Sequence, residues 1–266
     1  NQIQSLTSLM VPPIHKDNMP SNHLNKLHSI NHVLEVGMPY PVFESYLNSY
    51  NQYIDFIKFG WGSALIDPEF TLKKNLCDRL NIRPLLGGTF FEYMIHHYNF
   101  DDFARHILSF GLDCVELSRG TIDIEDHLYS SFIRTLSSDY FVMSEVGRKS
   151  SDPAKKLTPA HWLSHCELSA EAGASLIILE SRESGRSGYI STGGDVDAVV
   201  MDTITSVIPV DSLLFEAPIK SVQTFLLKRF GSFVNLGNLS LSDLVAVQSL
   251  RCGLRSDTLL DMQPKF

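Results

Sequence analysis

A rhythm repeated eight times constrains this chain more than any other feature: a short apolar, β-branched run, then a longer stretch with helical spacing, then another run. The runs are NHVLEV (31 to 36), YIDFIKF (53 to 59), IRPLLGG (82 to 88), CVELS (114 to 118), YFVMSEV (140 to 146), SLIILE (175 to 180), LLFEAP (213 to 218) and FVNLGN (233 to 238). Amphipathic segments such as PEFTLKKNLCDRL, DDFARHILSFG, PAHWLSHCELSAEAG and SVQTFLLKRFG lie between them, several closed by the glycine that a left-handed helix cap needs. After the eighth run, SLSDLVAVQSLRCG predicts a last helix with Ser240 or Ser242 as its N-cap. Runs apolar enough to be buried on both faces, alternating with helices, predict a parallel sheet closed into a single-domain (β/α)8 TIM barrel over residues 29–266. A doubly wound open sheet is the competing arrangement. It usually has fewer strands and a glycine-rich phosphate turn after the first, which EVGMPY does not supply. Residues 1–28 are polar, carry Pro12, Pro13 and Pro20, and read as an N-terminal arm or lead-in.

The chain carries 22 basic and 30 acidic side chains, a net charge of −8. That field repels polyanions and anionic membrane surfaces, so neither nucleic acid nor membrane is an expected partner, whereas a small anion can be held by local cations. Cys77, Cys114, Cys166 and Cys252 are scattered, without CxxC pairs, as in a reduced cytoplasmic protein. No apolar run approaches the roughly 18 to 20 residues of a membrane span. Self-association into a homo-oligomer stays open.

A barrel of this kind does its chemistry at the C-terminal ends of its strands. Those ends carry Glu35, Lys58, Gly87-Gly88-Thr89, Glu116 with Ser118, Glu145 with Lys149, Glu180 with Arg182, Glu216, and Asn235 with Asn238. Taken singly, a Glu ending a strand is a solvated loop residue or a cap, and Gly-Gly is a turn. Their recurrence at nearly every strand end, each interrupting an apolar run where an unpaired charge is costly, makes them face one another. Converging Glu145, Glu180 and Glu216 form a hard oxygen cluster suited to Mg²⁺. Lys58, Lys149 and Arg182 offset that charge and bind an anionic substrate, with backbone N–H groups of the GGT and NLGN turns adding to the anion site. His96 and His97, without a third ligand at a useful spacing, read as ordinary helix residues, and Asp101-Asp102 and Lys155-Lys156 as solvated faces.

KFGWGSALI, GGTFFE, VELSRG, SEVGRK, ESRESG, FEAPIKSVQ, VNLGN and SLRCGLRSDT, in this order and spacing, resemble the phosphosulfolactate synthase family of coenzyme M biosynthesis from about residue 30 to residue 260. The resemblance implies a (β/α)8 barrel, Mg²⁺ dependence, and addition of sulfite to phosphoenolpyruvate to give (2R)-2-phospho-3-sulfolactate. It implies Lys58 as general acid, Glu116 and Lys149 as further catalytic candidates, and Glu145, Glu180 and Glu216 as metal ligands. Gly87, Gly88, Thr89, Ser118, Arg119, Arg182, Asn235 and Asn238 are the implied substrate binders, Lys149 doubling as an anion contact.

Three positions depart from the family. Its first strand ends Asp-Lys-Gly, where this chain has Glu35-Val36-Gly37; its Ser-Asp-Gly after strand four is Ser118-Arg119-Gly120; and Ser181 stands where it has Gly. The departures put the nucleophile in question, with Arg119 expected either to return a lost cation to the rim from a different place or to reshape the pocket for another nucleophile. They also keep two alternatives open, a barrel that binds without catalysis, as in heat-stress-associated members, and an enzyme on another phosphorylated substrate.

Overall fold

The computed structural model describes residues 29–148, 156–181, 188–190 and 195–262. Eight parallel strands, β1 (Asn31–Glu35), β2 (Phe56–Phe59), β3 (Arg83–Leu86), β4 (Cys114–Ser118), β5 (Phe141–Val146), β6 (Leu176–Leu179), β7 (Leu213–Glu216) and β8 (Leu236–Leu239), pair in the order β3-β2-β1-β8-β7-β6-β5-β4. β3 and β4 lie side by side at the seam, so the sheet is a nearly closed barrel, the (β/α)8 architecture that the strand rhythm predicts. The arm expected over residues 1–28 lies outside the described residues.

The helices around it are α1 (Tyr40–Tyr50), α2 (Phe70–Arg79), α3 (Gly88–His97), α4 (Phe100–Phe110), α5 (Asp126–Leu136), α6 (Pro159–Glu171), α7 (Ala198–Thr205), α8 (Lys220–Phe230) and α9 (Leu244–Arg251). Local chemistry sets their ends. The Asn99 side chain accepts the Asp102 N–H to start α4, and Gly111, at φ 63°, ends it in the left-handed conformation. Thr158 caps α6 ahead of Pro159, whereas Ser240, an expected cap of the last helix, caps a short 3-10 turn (Leu241–Asp243) instead, and α9 begins after Asp243.

Both faces of the strands are buried, in two separate layers. Ile30, Phe56, Leu85, Cys114, Met143, Leu176, Ile178 and Leu214 plug the inside of the barrel. Side chains of the opposite parity, among them Val33, Ile57, Phe59, Leu86, Val115, Leu117, Leu179 and Phe215, pack outward against the helices. Below the plug, the buried Arg251 guanidinium donates to the carbonyls of Ser232, Val234 and Ile30 and to Asn31 Oδ1, tying α9 to the strands where the ring closes. Above the plug the inward positions turn polar, and the cavity begins there.

The eighth strand departs from its predicted bounds. It begins at Leu236 rather than at Phe233, because Phe233 and Ser232 still belong to the turn after α8 and Phe233 is exposed. Asn235 therefore sits before the strand, at the N-terminal end of the barrel. It accepts the Ile30 N–H at 2.9 Å and donates to the Leu213 carbonyl at 3.0 Å, an internal brace far from the strand ends that carry Glu145 and Glu180.

Candidate active site

A cavity of about 460 Å³ opens at the C-terminal ends of the strands. Leu34, Lys58, Gly60, Trp61, Gly87, Gly88, Thr89, Glu116, Thr121, Glu145, Glu180, Glu216 and Asn238 line it. Lys58, Glu116, Glu145, Glu180 and Glu216 are each 5% exposed or less, so charge is concentrated where water is scarce. Of the described lining residues four are carboxylates and one is a cation. Lys149 and Arg182, the other predicted cations, lie outside the described residues, as do Glu183 and Arg186.

Lys58 is the hub. Its Nζ lies 3.0 Å from Glu216 Oε1 and 3.3 Å from Glu116. Burial works against the ammonium, but Glu116, Glu216 and Glu145 outweigh it and push its pKa above the ordinary lysine value. Lys58 is therefore held as a cation. Burial raises the Glu216 carboxyl to about 7, against the pull of Lys58 and reinforced by Glu145 and Glu116.

Each carboxylate is also held by backbone or hydroxyl groups. The Gly88 N–H, at the start of α3, donates to Glu116 Oε1 at 2.6 Å, adding the favourable end of a helix dipole. A Cβ on Gly88 would come within 2.6 Å of the Ser118 Cβ and 3.1 Å of Glu116 Oε1, so only glycine permits this approach. The Gly-Gly turn thus spends the Gly88 amide on a carboxylate of its own protein instead of leaving it to a substrate anion. Ser118 lies behind the lining, its hydroxyl between Glu145 Oε1 at 2.8 Å and Glu92 Oε1 at 3.0 Å. The Ser181 N–H donates to Glu216 Oε2 at 2.9 Å, and its buried side chain lies off the cavity lining. Tyr189, fully buried, donates its hydroxyl to the Glu216 main-chain carbonyl.

Two expected members of the site face elsewhere. Glu35 points outward from the barrel, where Lys73 of α2 reaches it at 3.1 Å and the Gly37 N–H donates to it at 2.8 Å. The Arg119 guanidinium donates to the Ile124 carbonyl, pairs with Asp126 and lies 4.7 Å over the Tyr129 ring. Strand parity is the reason: Ser118 is inward, so Arg119 is outward, and it does not return the cation missing at Val36. Val36 itself is exposed on the rim. His96 and His97 are exposed on α3, as expected for surface residues.

Sequence reasoning passed over Lys73, Glu92, Trp61, Tyr189 and His32. Trp61 lines the cavity with φ at 53°, a left-handed backbone rare outside glycine, and its flanking glycines in KFGWGS were the available signal. Nothing in NHVLEV marks His32, which lies fully buried beneath Lys58 and Glu116.

The donor set bears on Mg²⁺. Among the described residues no three acidic, His or Cys side chains form a ready-made metal cage. Mg²⁺ needs less, one or two carboxylates with the remaining positions left to water and substrate. Glu145, Glu180 and Glu216 offer hard oxygens on one cavity, and Asn238 Oδ1 is a buried acceptor without a hydrogen-bond partner among the described residues. These residues fit the ion.

Known proteins place the same architecture in context. The family model described as (2R)-phospho-3-sulfolactate synthase (ComA) matches residues 24–257. The phosphosulfolactate synthase of Bacillus subtilis (strain 168) is 36% identical over 227 residues, 85% of this chain and 90% of that protein. That of Methanocaldococcus jannaschii is 36% identical over 230 residues, 85% of this chain and 92% of that protein. Among solved structures, 3-hexulose-6-phosphate synthase superposes with a TM-score of 0.51 at 12% identity, covering 82% of this chain and 98% of that one, a likeness of fold alone.

Proposed function

The chain belongs to the (2R)-phospho-3-sulfolactate synthase family, and from that premise we propose that it adds sulfite, or a closely related nucleophile, to C3 of phosphoenolpyruvate. The sulfur lone pair forms the bond to C3, the C2–C3 π pair moves to C2 and into the adjoining carboxylate, and a proton then closes C2. The product is 2-phospho-3-sulfolactate when sulfite attacks.

The observation that supports this reading most is the Lys58 ammonium, held at 3.0 Å from Glu216 and 3.3 Å from Glu116 inside the acid-lined cavity. Its raised pKa keeps the ammonium protonated across the physiological range, so a proton for C2 is in place when the nucleophile adds. Glu116 and Glu216 fix its position, and their own anchors on Gly88 and Ser181 keep that geometry from relaxing as charge moves. Glu145, Glu180 and Glu216 are the residues that would hold Mg²⁺. When bound, the ion supplies positive charge against the electron density gathering on the substrate carboxylate.

Val36 on the rim and Arg119 tied to Asp126 leave the nucleophile's site with less positive charge than the family pattern provides. A nucleophile of lower charge than sulfite, such as a thiol, is the variant that this favours. Incubation with phosphoenolpyruvate, Mg²⁺ and sulfite or thiols, followed by phosphorus NMR, tests the proposal. A new phosphate ester signal supports it; no turnover with any nucleophile together with no phosphoenolpyruvate-induced rise in Tm, with or without Mg²⁺, sinks it.

A further inference from the structure

We propose that His32 is a positioning residue of this cavity: its imidazole takes up the amide that a bulge in β8 leaves without a strand partner, and so holds Asn238 on the cavity wall while presenting its other nitrogen to Glu116. The structural part stands on its own; the kinetic consequence rests on the reaction proposed above.

The bulge is visible in the pairing. Asn31 of β1 lies beside Leu236 of β8, and Val33 beside Leu239, so two steps along β1 match three along β8. The extra residue falls in Gly237-Asn238. Bulges are rare between parallel strands and recur beside active sites, where they re-aim a side chain. Asn238 carries the distortion, with φ at 52°, a conformation that Asn tolerates better than most residues.

His32 is the residue of β1 that faces this distortion. Its Nδ1 accepts the Asn238 N–H at 3.3 Å. A Cβ on Gly237 would stand 3.4 Å from the same nitrogen, an ordinary contact that puts the other bulge residue directly against the ring. The two halves of the arrangement fit each other: the bulge frees an N–H, and the imidazole satisfies it.

An accepting Nδ1 carries no proton, which puts the ring proton on Nε2. Burial, with Lys58 next in size, holds His32 well below the ordinary histidine range, so the ring is neutral. Nε2 lies 3.9 Å from Glu116 Oε2, too far for a hydrogen bond, and has no other partner among the described residues. It is a donor dipole 3.9 Å from a carboxylate that Lys58 and the Gly88 N–H also hold. Asn238 Oδ1 is in turn a buried acceptor on the cavity without a hydrogen-bond partner among the described residues. His32 thus supports two cavity groups at once, and touches no substrate itself.

Three substitutions separate the two contacts. His32→Asn puts an acceptor near the Nδ1 position and removes the Nε2 donor; His32→Gln reaches the Nε2 position and loses the Nδ1 acceptor; His32→Phe keeps the ring and loses both. With phosphoenolpyruvate as the probe, His32→Gln and His32→Phe are expected to raise KM about tenfold, the effect of one misplaced hydrogen-bonding group. His32→Asn is expected to keep KM and lower kcat. Equal KM and kcat in the wild type and all three folded variants would overturn the proposal, as would losses that track the folded fraction alone. A readout without turnover accompanies these: ¹⁵N spectra of the ring in the unliganded protein should show the neutral Nε2–H tautomer at pH 7, and the Asn238 amide resonance should move in His32→Phe but less in His32→Asn. An Nδ1–H tautomer or an imidazolium would overturn the proposal even in an active enzyme. A wild type inert toward phosphoenolpyruvate and every nucleophile, yet showing the expected tautomer and amide shifts, would overturn the reaction and leave His32 in its place.

Discussion

Lys58 Nζ and Glu216 Oε1 lie 3.0 Å apart above the apolar plug of the barrel, neither side chain more than 6% exposed. A pair so buried is weak evidence for stability, since two ions give up hydration to meet. Its value lies in holding one proton and one charge in a fixed place.

Replacing Lys58 by Met keeps the unbranched apolar stem of the side chain and removes the terminal cation. Glu116 and Glu216 then face each other without compensation, and in the proposed reaction C2 loses its proton donor. Turnover of phosphoenolpyruvate is expected to fall by about 10²–10⁴-fold, the usual contribution of a positioned acid. Phosphorus NMR and the Tm of the same sample check it; a variant that keeps wild-type kcat removes Lys58 from the mechanism.

Glu216 sets a pH dependence of stability in the metal-free protein. Its folded pKa of about 7 stands above the ordinary glutamate value of 4.5, so the folded chain holds this proton more tightly than the unfolded chain. The stabilisation is complete below pH 4.5 and is lost as pH rises toward 7. Thermal unfolding in EDTA across that range should show the wild type losing Tm relative to Glu216→Gln, which cannot ionise. A constant difference between the two denies the assignment.

Gly188 meets the backbone of Glu180 so closely that a Cβ there would lie 1.8 Å from the Glu180 carbonyl oxygen, and its φ is 73°. The Tyr189 N–H donates to that same carbonyl at 3.2 Å, and the Tyr189 hydroxyl to the carbonyl of Glu216, so one turn ties two cavity acids together. Gly188→Ala is expected to destabilise by more than about 2 kcal/mol, from strain and clash together, and to displace Glu180. Urea unfolding measures the first effect, and a weaker Mg²⁺-dependent rise in Tm the second.

The strands were legible because apolar runs of strand length recur between amphipathic helices, and CVELS is β4 to the residue. Which strand-end charges converge was not. In a parallel barrel both faces of a strand are buried, so no polar alternation distinguishes inward Glu116 from outward Glu35. Lys73 answers Glu35 from a helix whose sequence looks like any charged surface helix, and Arg119 turns outward one residue after an inward Ser118. His32 lies beyond sequence reading for another reason. Its role depends on a register slip in β8 hinted at only by Gly237-Asn238, and on β1 and β8 being neighbours, which closure of the ring brings about.

Arg251 lies within the residues that match the family, yet it works at the other end of the barrel from the cavity. Burial lowers its pKa to about 10, which leaves it charged, and three main-chain carbonyls and Asn31 Oδ1 take its donors. Arg251→Met leaves those acceptors unpaired in the interior and is expected to cost about 3–5 kcal/mol. Lysine has the charge but a single nitrogen, so Arg251→Lys should recover only part of the loss. Neither substitution reaches the cavity, and kcat per folded molecule should match the wild type when urea unfolding has fixed the folded fraction. A kcat that drops while the fold stays intact would mean that the two ends of the barrel are coupled, with β1 and its His32 the direct path between Asn31 and Glu116.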